Sequence, residues 1–395
     1  MDRQSFIELN RSAFNHNIDH IKNAANGSQV ALVLKANAYG HGLKELAAFA
    51  QSNQTVSWIC TATLTEAFLV RNLVPEKPIL VLSHSDSCLE KAISLSIHLT
   101  VYTIEDAYAI SRAAQKTGRT ASIHIKIDTG MGRLGFTPDE APSFIQKVRL
   151  LPSIAVYGIY THLCDTPNAD QSFSYLQLQR FDDLLVSLES MGISIPCTHA
   201  LSSSGLVIKP SRTYTFLRCG AFAYGNWKSE SHRKLLLRDH PQLHLEPILR
   251  WKTPVIALKT IKKGDSVGYD RTFIAQRQTL LALTPIGYAD GYPRALSNKK
   301  DVAVYNNHLL SVAGLVSMNI TAFDVTHVPT IKLYDTITVL GGTENSSIYR
   351  CAQIAHTISN ELSVHINSQF RRVITEEQPL TEKATPPMRE SSYQL

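Results

Sequence analysis

From about residue 30 to residue 225 the chain alternates between short apolar, β-branched runs and longer amphipathic segments. The runs are VALVLKA (30–36), SWICTAT (57–63), PILVLS (78–83), IHLTVYT (97–103), ASIHIKID (121–128), VYGIYTHL (156–163), CTHALSS (197–203) and TFLRCGAFAYG (215–225). Between them, segments such as LKELAAFAQS, TLTEAFLVRN, IEDAYAISRAAQ and YLQLQRFDDLLVSLES carry apolar residues at helical spacing. Near-continuous apolar strands alternating with helices belong to a parallel sheet covered on its outer face. Eight such units predict a closed (β/α)8 barrel, TIM-like, in the α/β class. Beyond residue 240 the helical period vanishes. Strand-like runs (TPVIALKTI, SVGYDRTF, TLLALTPIGYA, DVAVYNNHLLSVAGLV, FDVT, DTITVLGG) are punctuated by turn sequences such as KKGD and YNNH. They predict an all-β C-terminal domain closed by one late helix around 350–362. The expected division is a barrel over 1–240, a β domain over 241–375 and a polar, proline-containing tail over 376–395, read as disordered.

Composition narrows the class. The 395 residues, 44% apolar and 18% charged, suit a soluble globular enzyme with a large core. A net charge of +6, spread without a block, gives a mild attraction for anions. There is no Lys/Arg stripe with interleaved aromatics, so no nucleic-acid partner is expected. Six scattered cysteines with no C-x-x-C pair read as reduced, mostly buried thiols. The N-terminus carries charge throughout and has no signal-peptide core, and no apolar run approaches the roughly 20 residues a bilayer requires. A cytoplasmic protein with no membrane partner is the expectation.

The C-terminal ends of barrel strands build the active site. Here those ends carry Lys35, Lys126 with Asp128, His162, Ser202 with Ser203, and Arg218. Ser203 follows strand seven and Gly220 follows strand eight, where barrels commonly bind a phosphate. The sum is an anion site with an embedded lysine. Pyridoxal 5'-phosphate (PLP), a phosphate ester whose aldehyde condenses with a lysine, suits it. No metal is expected.

The string ALVLKANAYGHG, with IHIKIDTGMGRLGF, GIYTHL, RCGAFAYG, VGYDRTF, PIGYADGYPR and the SM of LVSMN following in order, resembles the alanine racemase family of fold-type III PLP enzymes over about residues 5–375. The resemblance implies a PLP-dependent racemase acting on a small amino acid, assembled as a homodimer. Lys35 matches the family's Schiff-base lysine. A strand-end lysine usually reaches solvent, but this one sits between an apolar strand and Ala36–Gly42, and burial lowers a lysine pKa toward neutrality. Tyr39, Ser203 and the backbone at Gly220 and Ala221 are implied to hold the phosphate. Taken alone, Ser202–Ser204 is only a polar turn. Arg218 matches the arginine set against the pyridine nitrogen, where a guanidinium cannot accept the proton an acid would share. His162 is implied to lie beside the ring, although a lone histidine there is more often a core residue. Arg133 matches the arginine near the phenolic oxygen, and Lys126 a lysine carbamylated in many members.

Racemisation needs acid–base groups on both faces of Cα. Lys35 supplies one, and the resemblance implies Tyr269 from the partner subunit as the other, with cationic neighbours favouring its phenolate. Tyr288 and Met318 are implied to line the same site across the interface. Two positions depart from the family pattern. Asn360 stands where most members carry a tyrosine near the phosphate and the substrate methyl, and Asn319 where an aspartate is usual. Related serine racemases resemble this chain at Asn360 and in Ser202–Leu206, so serine is the alternative substrate to alanine.

One motif misleads. Gly130-Met131-Gly132-Arg133-Leu134-Gly135 satisfies G-x-G-x-x-G after a strand, but the acidic residue a dinucleotide site needs about 20 residues on is missing. Rival readings are a fold-type III decarboxylase, which expects an acid against the pyridine nitrogen, and a non-catalytic PLP carrier, which would resemble the barrel alone. A cofactor-free lysine enzyme would be colourless, whereas a PLP enzyme absorbs visible light and is bleached by borohydride.

Overall fold

The computed structural model describes residues 4–85, 88–342 and 346–377. Strand β1 (Phe6–Asn10) and helix α1 (Arg11–Ala24) precede eight parallel strands. These are β2 (Gln29–Val33), β3 (Val56–Thr61), β4 (Ile79–Val81), β5 (Ile97–Val101), β6 (Ala121–Lys126), β7 (Ile154–Tyr160), β8 (Cys197–His199) and β9 (Phe216–Cys219). Each falls within one of the apolar runs or overlaps it by all but a residue or two. Neighbours pair in chain order from β2 to β8, and β9 returns to lie beside β2. The ring closes between β8 and β9, where Thr215 N–H donates to Thr198 O at 2.8 Å and Arg218 N–H to Leu201 O at 3.1 Å. An eight-stranded parallel barrel wrapped by helices is thus the first half of the molecule.

Side chains on a strand alternate between its two faces. In β2, Ala31 and Val33 point into the barrel; in β3, Trp58 and Cys60; in β9, Phe216. The next inward step is Lys35 after β2 and Arg218 on β9. Lys126 ends β6 two residues beyond the inward-facing His124. The same alternation that packs the barrel's interior therefore delivers three cations to one rim.

The second half is a nine-stranded sheet in which β1 sits between Leu249–Pro254, antiparallel, and Arg371–Thr375, parallel. The first strand of the chain thus serves the sheet of the C-terminal domain and not the barrel, a contribution that the expected boundary at residue 240 does not contain. Two other expectations need correction. SVGYDRTF is not one strand but a small hairpin, Ser266–Val267 against Phe273–Ile274. Gly268 (φ 74°), Asp270 (φ 58°) and Arg271 (φ 50°) turn the chain left-handed and put Tyr269 at the tip. The single late helix is two, Ile348–Ile354 and Ser359–Val364, separated where His356 adopts φ 56°. Of the expected tail, residues 378–395 lie outside the described residues. Four of the six free thiols are buried, and Cys88 and Cys164 are exposed. No helix among the described residues is long and apolar enough to cross a membrane.

Candidate active site

A cavity of 430 Å³ opens at the C-terminal rim of the barrel, within the range of small-molecule sites. Lys35, Tyr39, Lys126, Arg133, His162, Ser203, Arg218, Gly220, Ala221 and Asn360 all line it. Lys228 adds a fifth cation, and no carboxylate is among the described lining residues. A larger cleft, 850 Å³, lies against Asp128, Arg180 and Asp183 and shares no lining residue with this cavity.

Lys35 is followed by four consecutive residues in the left-handed region, Ala36, Asn37, Ala38 and Tyr39, with φ between 51° and 54°. None is glycine, and each such residue costs about 1–2 kcal/mol. One tertiary bond and two local ones hold the turn. Glu66 Oε1 accepts from Ala36 N–H at 2.6 Å, Asn37 Oδ1 from Leu43 N–H at 2.8 Å, and Leu34 O from Ala38 N–H at 3.0 Å. Glu66 Oε2 also caps its own helix at Ala62 and Thr63. Glu66→Ala should cost about 1.5–3 kcal/mol in urea unfolding, the value of charge-assisted bonds.

The Lys35 amine faces the open cavity and stays accessible to solvent. Even so, partial desolvation lowers its pKa first, then the charge of Arg133, with Glu66 opposing and Arg218 adding to the effect. Deeper in, Lys126 is pushed down to about 8 by burial, then by Arg133 and Arg218.

Arg218 is buried among neutral acceptors. Its guanidinium donates to His199 Nδ1 at 2.5 Å, Thr161 O at 2.7 Å, Ala200 O at 2.9 Å and His162 Nδ1 at 3.2 Å. Burial and then the charge of Arg218 hold both His162 and His199 well below the ordinary histidine pKa, so both are neutral. With Nδ1 of His199 accepting, its Nε2 must donate, here to His124 Nδ1 at 3.0 Å, and His124 Nε2 in turn to His98 Nδ1 at 3.2 Å. One guanidinium thereby sets the tautomers of three imidazoles down the barrel axis. The strand-end reading missed His98, His124, His199 and Glu66. Inward parity on β5, β6 and β8 could have found the histidines, and the T-x-x-E cap at Thr63–Glu66 the carboxylate.

In the same cavity Gly220 N–H donates to Ser203 Oγ at 2.9 Å. A Cβ at Gly220 would come within 2.4 Å of the Tyr39 hydroxyl, so glycine is needed for close approach here. Burial raises the Tyr39 pKa, keeping that hydroxyl a donor. The G-x-G-x-x-G loop does not point its amides at a ligand. Asp128 accepts from Gly130, Met131 and Gly132 through Oδ1 and from Arg133 through Oδ2, at 2.8–3.2 Å. Burial works against that carboxylate, but the four N–H bonds together keep its pKa low. The loop ends in a bridge between Ile127 and Phe136, so it does not run straight into a helix as a dinucleotide fingerprint requires.

Three expected site residues are not in the cavity. Tyr269, Tyr288 and Met318 are 67%, 43% and 55% exposed on the β domain. They share one edge: Tyr288 N–H bonds Ser317 O, Ala289 N–H bonds Met318 O, and Gly314 packs on the Val267 carbonyl beside the Tyr269 hairpin.

A barrel with an accessible lysine of lowered pKa in an acid-free cationic cavity, joined to a strand domain, is a pairing that suits an anionic ligand. Residues 9–227 match the family model of the alanine racemase N-terminal domain and residues 248–374 that of its C-terminal domain. The alanine racemase of Clostridium tetani is 33% identical over 377 residues, covering 94% of this chain and 95% of its own. That of Methanococcus maripaludis is 35% identical over 373 residues, covering 93% and 98%. Among solved structures, alanine racemase from Clostridium difficile superposes with a TM-score of 0.88 at 27% identity, covering 96% of this chain and 97% of that one. A Bacillus anthracis alanine racemase with bound L-Ala-P gives 0.84 at 26% identity, covering 97% of each. The chain belongs to the alanine racemase family, and it is an isomerase.

Proposed function

We propose that this enzyme interconverts L- and D-alanine by a two-base mechanism in a PLP site shared between two copies of the chain. The observation that carries the reading is the acid-free cationic cavity that holds both a lysine of lowered pKa and the Gly220 cradle. PLP fits the residues present. Tyr39, Ser203 and the backbone at Gly220 and Ala221 would hold its phosphate, Arg218 would face its ring nitrogen with His162 beside the ring, and Arg133 its phenolic oxygen. Bound PLP supplies the electron sink that acidifies the Cα–H of an attached amino acid. Arg218 offers that ring a cation with no proton-accepting capacity, which favours return of the proton to Cα. A decarboxylase would want an acid there, and a carrier would match the barrel alone.

Lys35 moves the proton on one face of Cα. Tyr269 of the partner subunit moves it on the other, with Tyr288 and Met318 beside it. The exposed edge that carries these three side chains, with Ile320 45% exposed nearby, is apolar enough to be a subunit interface. We assign the enzyme to the cytoplasm. Alanine is the substrate the relatives favour. The purified protein should racemise L-alanine faster than L-serine in a chiral product assay, and an equal or greater rate with serine would move the assignment to serine, with Asn360 as the residue responsible.

Two further results are expected. Gly220→Ala should weaken PLP binding roughly tenfold or more, because its Cβ displaces the Tyr39 hydroxyl; cofactor titration by visible absorbance measures this. Lys126 should form a carbamate in ¹³C-bicarbonate. The neutral amine reacts, so the carbamate signal should grow as pH rises through about 8 and fade below it. In Lys126→Arg the ¹³C signal should be absent.

A further inference from the structure

Away from the cavity, helix α1 and the connector leading into Leu249–Pro254 meet in a cluster of imidazoles around a buried carboxylate. His16 and His20 lie four residues apart on one face of α1, ring centroids 4.2 Å apart. His244 stands edge-on to His16 at 5.5 Å. The connector is fixed against the helix by Asn17, whose side chain accepts from Glu246 N–H at 2.7 Å and donates to Glu246 O at 2.8 Å. His20 Nδ1 also engages the connector backbone, 2.8 Å from Gln242 O. This clamp aims the Glu246 carboxylate at His16 and His244.

One ligand atom from each of His16, His244 and Glu246 lies within 4.8 Å of the other two. Glu246 is only 8% exposed. Its Oε1 and the Nε2 of His16 are both enclosed and have no hydrogen-bond partner among the described residues. The nearest imidazole nitrogen to Oε1, His244 Nε2, is 3.6 Å away, too far for a hydrogen bond. An enclosed carboxylate oxygen without a hydrogen bond is costly, and proteins rarely leave one so.

We propose that His16, His244 and Glu246 bind a divalent transition-metal ion of the zinc class, which staples the barrel's first helix to the connector entering the β domain. Two imidazoles and one carboxylate suit zinc or its neighbours, whereas calcium and magnesium favour all-oxygen sites. Bonds of about 2.0–2.1 Å place tetrahedral ligands roughly 3.3 Å apart, so the His244–Glu246 pair is nearly in position and small side-chain rotations bring in His16. His244, a third exposed, leaves the fourth position open to water. A second buried group, His124, Cys197 and His199, is not an equivalent site, because its imidazoles are already bonded to one another and to Arg218.

The test is zinc titration of the tag-free, chelator-washed holoenzyme against a competing indicator dye, with thermal unfolding read in parallel. The native protein should take up one zinc per chain and melt at a higher temperature with it. His16→Ala and Glu246→Gln should each weaken that binding roughly tenfold or more and abolish the thermal shift. Their racemase activity should stay near native, which shows that both variants are folded. No zinc uptake by the native protein, or uptake unchanged by both substitutions, overturns the proposal.

Discussion

Lys35→Ala is expected to lose racemase activity by on the order of 10⁴-fold or more, since in the proposed mechanism it removes one of two acid–base groups and the cofactor's attachment point. The same variant should fold at least as stably as the native chain. Lys35 stands among like charges, Arg133 and Arg218 both pushing its pKa down, and Glu66 alone opposes them. Taking the amine away relieves that repulsion. Thermal unfolding of the two cofactor-free proteins should therefore show an unchanged or higher midpoint for the variant, the trade expected where a site is built at the expense of stability. A large fall in the midpoint would mean that Lys35 holds the left-handed turn together, against the assignment of that work to Glu66, Asn37 and Leu34.

Tyr269→Phe is expected to cut kcat by about 10²–10⁴-fold with little change in cofactor absorbance, since the phenol is asked only to move a proton. Stability of the protomer should hardly respond: the side chain is 67% exposed at a hairpin tip, and such surface substitutions usually fall within about 0.5 kcal/mol. The two variants thus separate the roles. One loses the colour of bound cofactor at position 35 along with turnover, and the other keeps the colour and loses turnover. A Tyr269→Phe enzyme of near-native rate would remove the second base from the account.

The barrel was legible because its strands are buried on both faces and so stand out as apolar runs, and because strand ends in a barrel are where chemistry collects. Lys35, Lys126 and Arg218 follow from that alone. The left-handed turn after Lys35 was not legible: Ala36-Asn37-Ala38-Tyr39 contains no glycine, and one of the bonds that hold it comes from Glu66, thirty residues away. His98, His124 and His199 hid inside strands whose interiors were read as packing. FIELN at the N-terminus escaped notice as a strand because its partners, Leu249–Pro254 and Arg371–Thr375, lie at the far end of the chain. Tyr269 sat in a segment whose alternation mimics one strand; only Gly268 hints at the turn that exposes it.

Mixing the two inactive proteins tests the shared site most directly. In a twofold dimer made of one Lys35→Ala chain and one Tyr269→Phe chain, one site carries both lesions and the other carries none. If subunits exchange freely, half the dimers are mixed and half the sites in those are whole, so activity should recover to about a quarter of native. No recovery, in a sample where mixed dimers are shown by mass to have formed, would mean that Tyr269 does not complete the site of a second chain.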